Sequence, residues 1–185
     1  MPDLLAAAKA KPGTVGMSTP GTGSINHLVL EWMNLTAKVK FLHVPYKGGA
    51  PAITATAGGE VPAGQAALGT AMPHIKSGRV RVVAVTTATR SFVDKSWPTL
   101  IESGMPGVNS SIWAGLFAPK GVPQPIIEKL YAEIAKILQL PEVKARFAAG
   151  GGVPGGMRPE AFGDAIRKEA ASLKKVAVAA KVKPE

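Results

Sequence analysis

Apolar residues recur at helical spacing just after a glycine-rich stretch near the N-terminus. The residues at positions i, i+3, i+4, i+7 and i+8 are Ile25, Leu28, Val29, Trp32 and Met33. Ser24 precedes them and is a favourable N-cap residue, because its hydroxyl can accept a free N–H of the first turn. The pattern predicts an amphipathic helix that begins near Ser24.

Strand-like apolar runs alternate with helical patterns through the first half of the chain. Strands are predicted over residues 14–18, 39–44, 61–67 and 80–86. Helices are predicted over residues 2–11, from 24 onwards, over 51–58 and over 70–77. Pro62 weakens the third strand, because proline has no N–H to donate to a sheet. This alternation is typical of an α/β fold with a mainly parallel sheet.

The second half of the chain has many helices and little strand. One strand is predicted over residues 110–118, followed by helices over 125–138, 141–149 and 159–179, with a glycine-rich loop at 150–156. A single strand cannot form a sheet, so this half is predicted to need strands supplied from elsewhere.

Composition excludes several function classes. The 185 residues are 46% hydrophobic, which is enough for a packed core, and no cysteine is present for disulfides or thiol catalysis. No apolar run approaches the ~18 residues of a membrane span. The first residues lack the basic and apolar segments of a signal peptide, so the chain as written is expected to stay in the cytoplasm or to lack its natural beginning.

The formal charge of +10 favours anionic partners. Basic residues concentrate only near the C-terminus, at Arg167, Lys168, Lys174, Lys175, Lys181 and Lys183, opposed from Arg167 on by Glu169 and Glu185. Few aromatic residues interleave with them, so a base-stacking platform is absent and no nucleic-acid partner is predicted. A solvated helix face ending in a frayed tail explains the cluster better.

The candidate chemistry lies in two glycine-containing loops, each placed between a predicted strand and a helix. In the first, glycines and a helix N-terminus follow Ser18 and Thr19, and free N–H groups with the helix dipole favour an anion. A plain turn with a serine cap is the alternative. The second loop has the same order and contains Tyr46 and Lys47. Taken alone, Lys47 is more simply interpreted as a solvated side chain.

Neither metal binding nor catalysis is predicted. His27, His43 and His74 lack the spacing and the carboxylates of a metal site, so no metal or other cofactor is expected. His27 is expected to lie near the anion, while His43 and His74 are interpreted as structural. No G-x-S-x-G nucleophile elbow occurs, and no acidic residue falls in the two loops, so the chain is not expected to be an enzyme.

Several segments together resemble the substrate-binding proteins of tripartite tricarboxylate transporters, the Bordetella uptake gene family. They are GMSTPGTGS at 16–24 with His27, HVPYKGGAPA at 43–52, PHIKSG at 73–78, WAGLFAPKG at 113–121 and PEAF at 159–162. The resemblance implies a periplasmic protein that closes on a small carboxylate like a Venus flytrap and delivers it to membrane transporter subunits. Carried over, the ligand-binding residues are Ser18, Thr19, Gly21, Thr22, Gly23, Ser24, His27, Tyr46, Lys47, Gly48 and Ala50.

The resemblance also implies the domain organisation. The fold is type II periplasmic-binding-protein-like, with one complete parallel-sheet domain at residues 2–108 and the C-terminal part of another at 109–185, whose helices pack on an incomplete sheet. The family is longer at its N-terminus, so the exposed apolar face of residues 110–180 is expected to drive self-association. The family often has an acidic residue near Ala66 and Ala67, and the alanines here leave the identity of the carboxylate open.

Two functions other than solute binding are compatible with the sequence. The effector-sensing domain of a bacterial transcription regulator shares this general fold and would explain the missing export signal. An enzyme acting on a carboxylate is the weaker alternative, because the sequence offers no catalytic residue to name.

Overall fold

The computed structural model describes residues 1–182 and contains seven helices and three strands within that range. The predicted basic tail therefore extends beyond it, since Lys183 and Glu185 lie outside the described residues. The helices are α1 (Pro2–Ala10), α2 (Ile25–Ala37), α3 (Gly49–Ala57), α4 (Leu68–Lys76), α5 (Gln124–Ile137), α6 (Pro141–Ala149) and α7 (Pro159–Ala179). The strands are β1 (Gly16–Thr19), β2 (Leu42–Pro45) and β3 (Ala63–Gly64).

The three strands form a parallel sheet in the order β2-β1-β3. Side chains alternate between the two faces of a strand, so Met17 and Thr19 share one face of β1 and Ser18 occupies the other. Helix α2 covers the Met17 face, and α3 contacts the Ser18 face. All four residues of β1 are buried, because β1 has a strand on each side and a helix on each face.

Helix α2 begins where the apolar pattern predicted, and its core-facing side is wider than predicted. The Ser24 hydroxyl caps the helix by accepting the N–H of His27. Val29 and Met33 are buried as expected, and Leu30 is fully buried as well. The helix is enclosed on two sides, because β1 packs against one side and α7 against another.

Three predicted strands are wrong in whole or in part. Only Ala63 and Gly64 of residues 61–67 pair with β1. Residues 80–86 contribute one isolated bridge, between Val85 and Thr99, and residues 110–118 form no strand. Extended backbone becomes a strand only when a neighbour accepts its hydrogen bonds. Residues 80–86 and 110–118 instead border an open groove.

The helices of the second half leave much apolar surface uncovered. Neither α5 nor α6 buries a side chain, and α7 buries only Val176. Leu116 is 78% exposed and Phe117 is 72% exposed. These apolar side chains are therefore in contact with solvent in the part of the chain that the structure describes. No helix formed by residues 1–182 combines the length and the apolar character of a membrane span.

Candidate anion-binding site

The carboxyl ends of β1 and β2 place two loops side by side. The first loop (residues 20–24) joins β1 to α2, and the second loop (residues 46–48) joins β2 to α3. The N–H of Tyr46 donates to the Thr19 carbonyl at 2.9 Å, and the N–H of Gly48 donates to the Pro20 carbonyl at 2.8 Å. The two loops therefore form one continuous backbone surface at the carboxyl ends of the strands, where ligands of parallel α/β folds bind.

Glycine is required where these loops approach each other. Gly21 has a φ of +147°, and a Cβ atom at that position would lie 3.3 Å from the Tyr46 carbonyl oxygen. Gly48 has a φ of +114°, which side-chain-bearing residues rarely adopt. The glycine spacing in the sequence therefore reflects both the turn geometry and the close contact between the loops.

Six backbone N–H groups around the loops make no hydrogen bond within residues 1–182. They belong to Thr22, Ile25 and Asn26 at the start of α2, and to Lys47, Gly49 and Ala50 at the start of α3. Both helix N-termini also carry the positive end of a helix dipole. Free N–H groups at a helix start are suited to a carboxylate or another anion.

The hydroxyl groups of Ser18 and Thr19 are buried and engaged inside the protein. The Ser18 hydroxyl donates to the Ala52 carbonyl at 3.0 Å and lies 2.8 Å from the Thr56 hydroxyl. The Thr19 hydroxyl lies 2.7 Å from Nε2 of His43. These two side chains shape the loops from within, although the family resemblance assigns both residues to ligand binding.

The remaining predicted residues differ in accessibility. The Ser24 hydroxyl donates to the Gly21 carbonyl at 2.7 Å, so it also fixes the first loop. Gly23, Lys47 and Ala50 are exposed. Gly21, Thr22, Tyr46 and Gly48 are partly exposed. All eleven predicted positions lie at or beside the joined ends of β1 and β2.

A stacked pair of histidines lies beneath the loops. The rings of His27 and His43 are 3.8 Å apart and within 6° of parallel. Nδ1 of His27 accepts the N–H of Gly23 at 3.1 Å, and Nε2 lies 3.7 Å from a carboxylate oxygen of Glu31. Burial, and secondarily the charged form of His27, lower the pKa of His43 from 6.5 to about 4. Sequence spacing did not predict this pair, because the two residues come from different elements.

The lowered pKa of His43 predicts that acid destabilises the protein over a defined range. As the pH falls below 6.5, an unfolded histidine takes up a proton, while folded His43 stays neutral until about pH 4. The unfolded state then binds more protons, so the free energy of unfolding decreases over this range and His43 causes no further loss below it. Because the ring is only half-buried, we expect a loss of about 1–2 kcal/mol.

Urea unfolding at pH 7 and near pH 4, the pKa of folded His43, measures this loss in the free energy of unfolding. The His43→Phe variant should lack this part of the pH dependence, because phenylalanine cannot be protonated. An equal acid-induced loss in the variant and the parent chain would contradict the assignment to His43.

A third loop follows β3 and contains Ala66 and Ala67, where the family resemblance implies an acidic residue in many relatives. Residues 65–67 connect β3 to α4, and the N–H of Gln65 donates to the Ser18 carbonyl at 2.8 Å. The Gln65 amide nitrogen contacts the sulfur atoms of Met17 and Met33, so its side chain turns toward the core. A glycine followed by glutamine after a short apolar run was the available signal for this loop.

The third loop opens onto a long groove of about 2360 Å³. The groove is also bordered by Ile25 and Asn26 at the start of α2, by residues 79–87 and by much of the second half. Its lining includes none of residues 18–24 or 45–50. The groove therefore runs beside the candidate anion site and meets it at the first turn of α2.

A model of the tripartite tricarboxylate transporter family receptor matches residues 1–174. The chain belongs to this receptor family. Its resemblance to substrate-binding proteins of these transporters, inferred from the sequence motifs, is thereby confirmed.

Individual relatives agree with this assignment. A protein encoded in the tcbD–tcbE intergenic region of Pseudomonas sp. strain P51 is 34% identical over 176 residues, covering 95% of this chain and 52% of its own length. The structure of a periplasmic transporter has a TM-score of 0.88 at 31% identity, over 99% of this chain and 61% of that one. Rpa4515 of R. palustris, solved with adipate, has a TM-score of 0.86 at 30% identity, and the match covers 100% of this chain and 62% of that one.

These likenesses confirm the predicted fold class. The chain has an α/β fold of the periplasmic-binding-protein type, with a parallel sheet. The chain spans about half the length of the curated relatives it matches and about three fifths of the structural neighbours.

Proposed function

We propose that this chain is the part of a periplasmic receptor that binds a small carboxylate through the two joined loops, for delivery to the membrane subunits of a tripartite tricarboxylate-type transporter. The supporting observation is the set of free N–H groups at the starts of α2 and α3, brought together by the Tyr46 and Gly48 hydrogen bonds. Family membership and the adipate-bound neighbour support a carboxylate as the anion.

The proposal assigns a binding role without catalysis. A carboxylate held by backbone N–H groups is stabilised by charge-assisted hydrogen bonds, which are stronger than bonds between neutral partners. Neither loop contains an acidic residue, and Glu31 lies beside His27 on α2. Membership of a receptor family supports this role over both the enzyme and the effector-sensing domain of a regulator.

The apolar surface of the second half adds a proposal about association. In the 185-residue chain, we propose that a second copy covers the exposed side chains of residues 112–117 and of α5. Large apolar patches are rarely left in contact with water, so an uncovered face of this kind favours association. Ile112, Trp113, Leu116 and Phe117 are all exposed within one short segment.

Calorimetry with matched ligands tests the carboxylate proposal. The 185-residue chain is titrated alone and with the unmatched part of the Pseudomonas relative supplied as a separate polypeptide. We expect adipate to bind the chain alone weakly, with a Kd of about 1 mM, and to bind more tightly when the second polypeptide contributes contacts. Adipamide, which has the same length without charge, should not bind. Failure of adipate to bind in either arm, or equal binding of adipamide, would overturn the proposal.

A further inference from the structure

We propose that His43 is a positioning residue for the anion site, and that it acts through Thr19 and through the stacked ring of His27. This inference rests on the proposed function, because the groups being positioned are the N–H groups that would hold the carboxylate. His43 itself lies beneath the loops, and the sequence alone suggested only a structural role for it.

The strand register places His43 where it can support the first loop. His43 pairs with Met17 across the β2–β1 ladder, so its side chain lies on the face of the sheet that α2 covers. Thr19 lies two residues after Met17 on that same face. Nε2 of His43 and the Thr19 hydroxyl are therefore in hydrogen-bond contact, at 2.7 Å. The same hydroxyl accepts the N–H of Gly21 at 3.4 Å, which connects His43 to the first loop.

The stacked ring provides a second connection to that loop. His43 packs flat against His27, and Nδ1 of His27 accepts the Gly23 N–H. Because Nδ1 accepts this bond, the proton of neutral His27 resides on Nε2, which faces Glu31 at 3.7 Å. The His27 ring cannot turn without losing the stack, the Gly23 bond or the approach to Glu31. The two histidines thus fix the backbone at Gly21 and Gly23, on either side of Thr22.

A merely structural role would require only a flat apolar ring at position 43. His43→Phe keeps a ring that can stack on His27 but cannot bond Thr19. His43→Gln keeps an amide that can reach Thr19 but cannot stack. At position 27, His27→Leu removes the acceptor for Gly23, and His27→Asn retains an oxygen near the Nδ1 position. His74→Gln, at the far end of α4, is the matched control.

The first measurement needs no ligand. NMR of the 185-residue chain should show Nε2–H as the tautomer of His27 and slow hydrogen exchange at the Gly23 amide. We expect His27→Leu to raise that exchange rate at least tenfold and His27→Asn to restore part of the protection. His43→Phe should accelerate exchange at the Gly21 amide, while His74→Gln leaves both amides unchanged. Unchanged exchange in His27→Leu and His43→Phe would overturn the positioning role.

The second measurement uses adipate and the same variants. We expect His43→Phe to weaken adipate binding about fivefold to tenfold at a temperature where circular dichroism shows the variant to be fully folded, and His43→Gln to recover part of the affinity. If His43→Phe alters exchange at Gly21 but binds adipate as tightly as the parent chain, His43 does not position the anion site for binding. If the parent chain binds no adipate, either alone or with the second polypeptide, the proposed function fails. The exchange data still decide whether the two histidines position the first loop.

Discussion

Replacing Gly64 with valine should reduce the free energy of unfolding by about 3 kcal/mol or more, since overpacking a buried site typically costs about 1–3 kcal/mol and buried hydrogen bonds are disrupted as well. Gly64 pairs with Ser18 across the β1–β3 ladder. A Cβ atom there would overlap the Ser18 hydroxyl and would lie 2.5 Å from the Thr56 hydroxyl. Neither hydroxyl can move freely, because the two are bonded to each other and to the Ala52 carbonyl.

Urea unfolding followed by circular dichroism measures this loss. Gly64→Ala should have a smaller effect in the same direction, because it adds a single methyl group. Gly155→Ala is the matched control, since no atom lies within 4 Å of its added Cβ and its φ is ordinary. Equal stability of Gly64→Val and Gly155→Ala would show that β3 does not pack against β1 as described.

The 185-residue chain should self-associate at micromolar concentration. Leu116 and Leu130 border the groove and are 78% and 51% exposed, in a half of the chain where α5 and α6 bury nothing. Covering an exposed leucine contributes about 1.5–3 kcal/mol, so a handful of such residues can offset the entropy lost on association. The double variant Leu116→Glu with Leu130→Glu should return the chain to a monomer, because charges cannot be covered without large desolvation costs.

Light scattering coupled to size-exclusion chromatography measures the mass directly. Leu35→Glu is the control, because Leu35 is 45% exposed on α2 and does not border the groove. It should leave the mass of the parent unchanged. A monodisperse monomer at every concentration of the parent chain would contradict this prediction.

Local sequence signals predicted the helices well. Pro141 and Pro159 occupy first-turn positions, and a glycine follows Ala149, so the observed ends of α6 and α7 coincide with the predicted ones. Ser24 caps α2 as predicted, because capping depends on residues within one turn. Strands were less predictable. Residues 80–86 and 110–118 have the composition of strands, but no neighbouring strand in the described residues forms a ladder of hydrogen bonds with them.

The location of the candidate site could be predicted from the sequence, but the surroundings of each side chain could not. Glycine spacing and strand–loop–helix order identified both loops, because these features are local. Whether Ser18 and Thr19 face a ligand or the interior depends on α3 and on His43, which are distant in the sequence. The stacking of His27 on His43 depends on the packing of α2 against the sheet, which no local pattern specifies.

The most direct test of the account is an amide-resolved NMR titration of the 185-residue chain with adipate. We predict that the largest shifts occur at the free N–H groups of Thr22, Ile25, Asn26, Gly49 and Ala50. Thr22→Asp should abolish them by adding a negative charge beside the site, whereas the neutral Thr22→Asn should retain them. Shifts confined to the groove-lining residues of the second half, or shifts unaffected by Thr22→Asp, would contradict carboxylate binding at the joined loops.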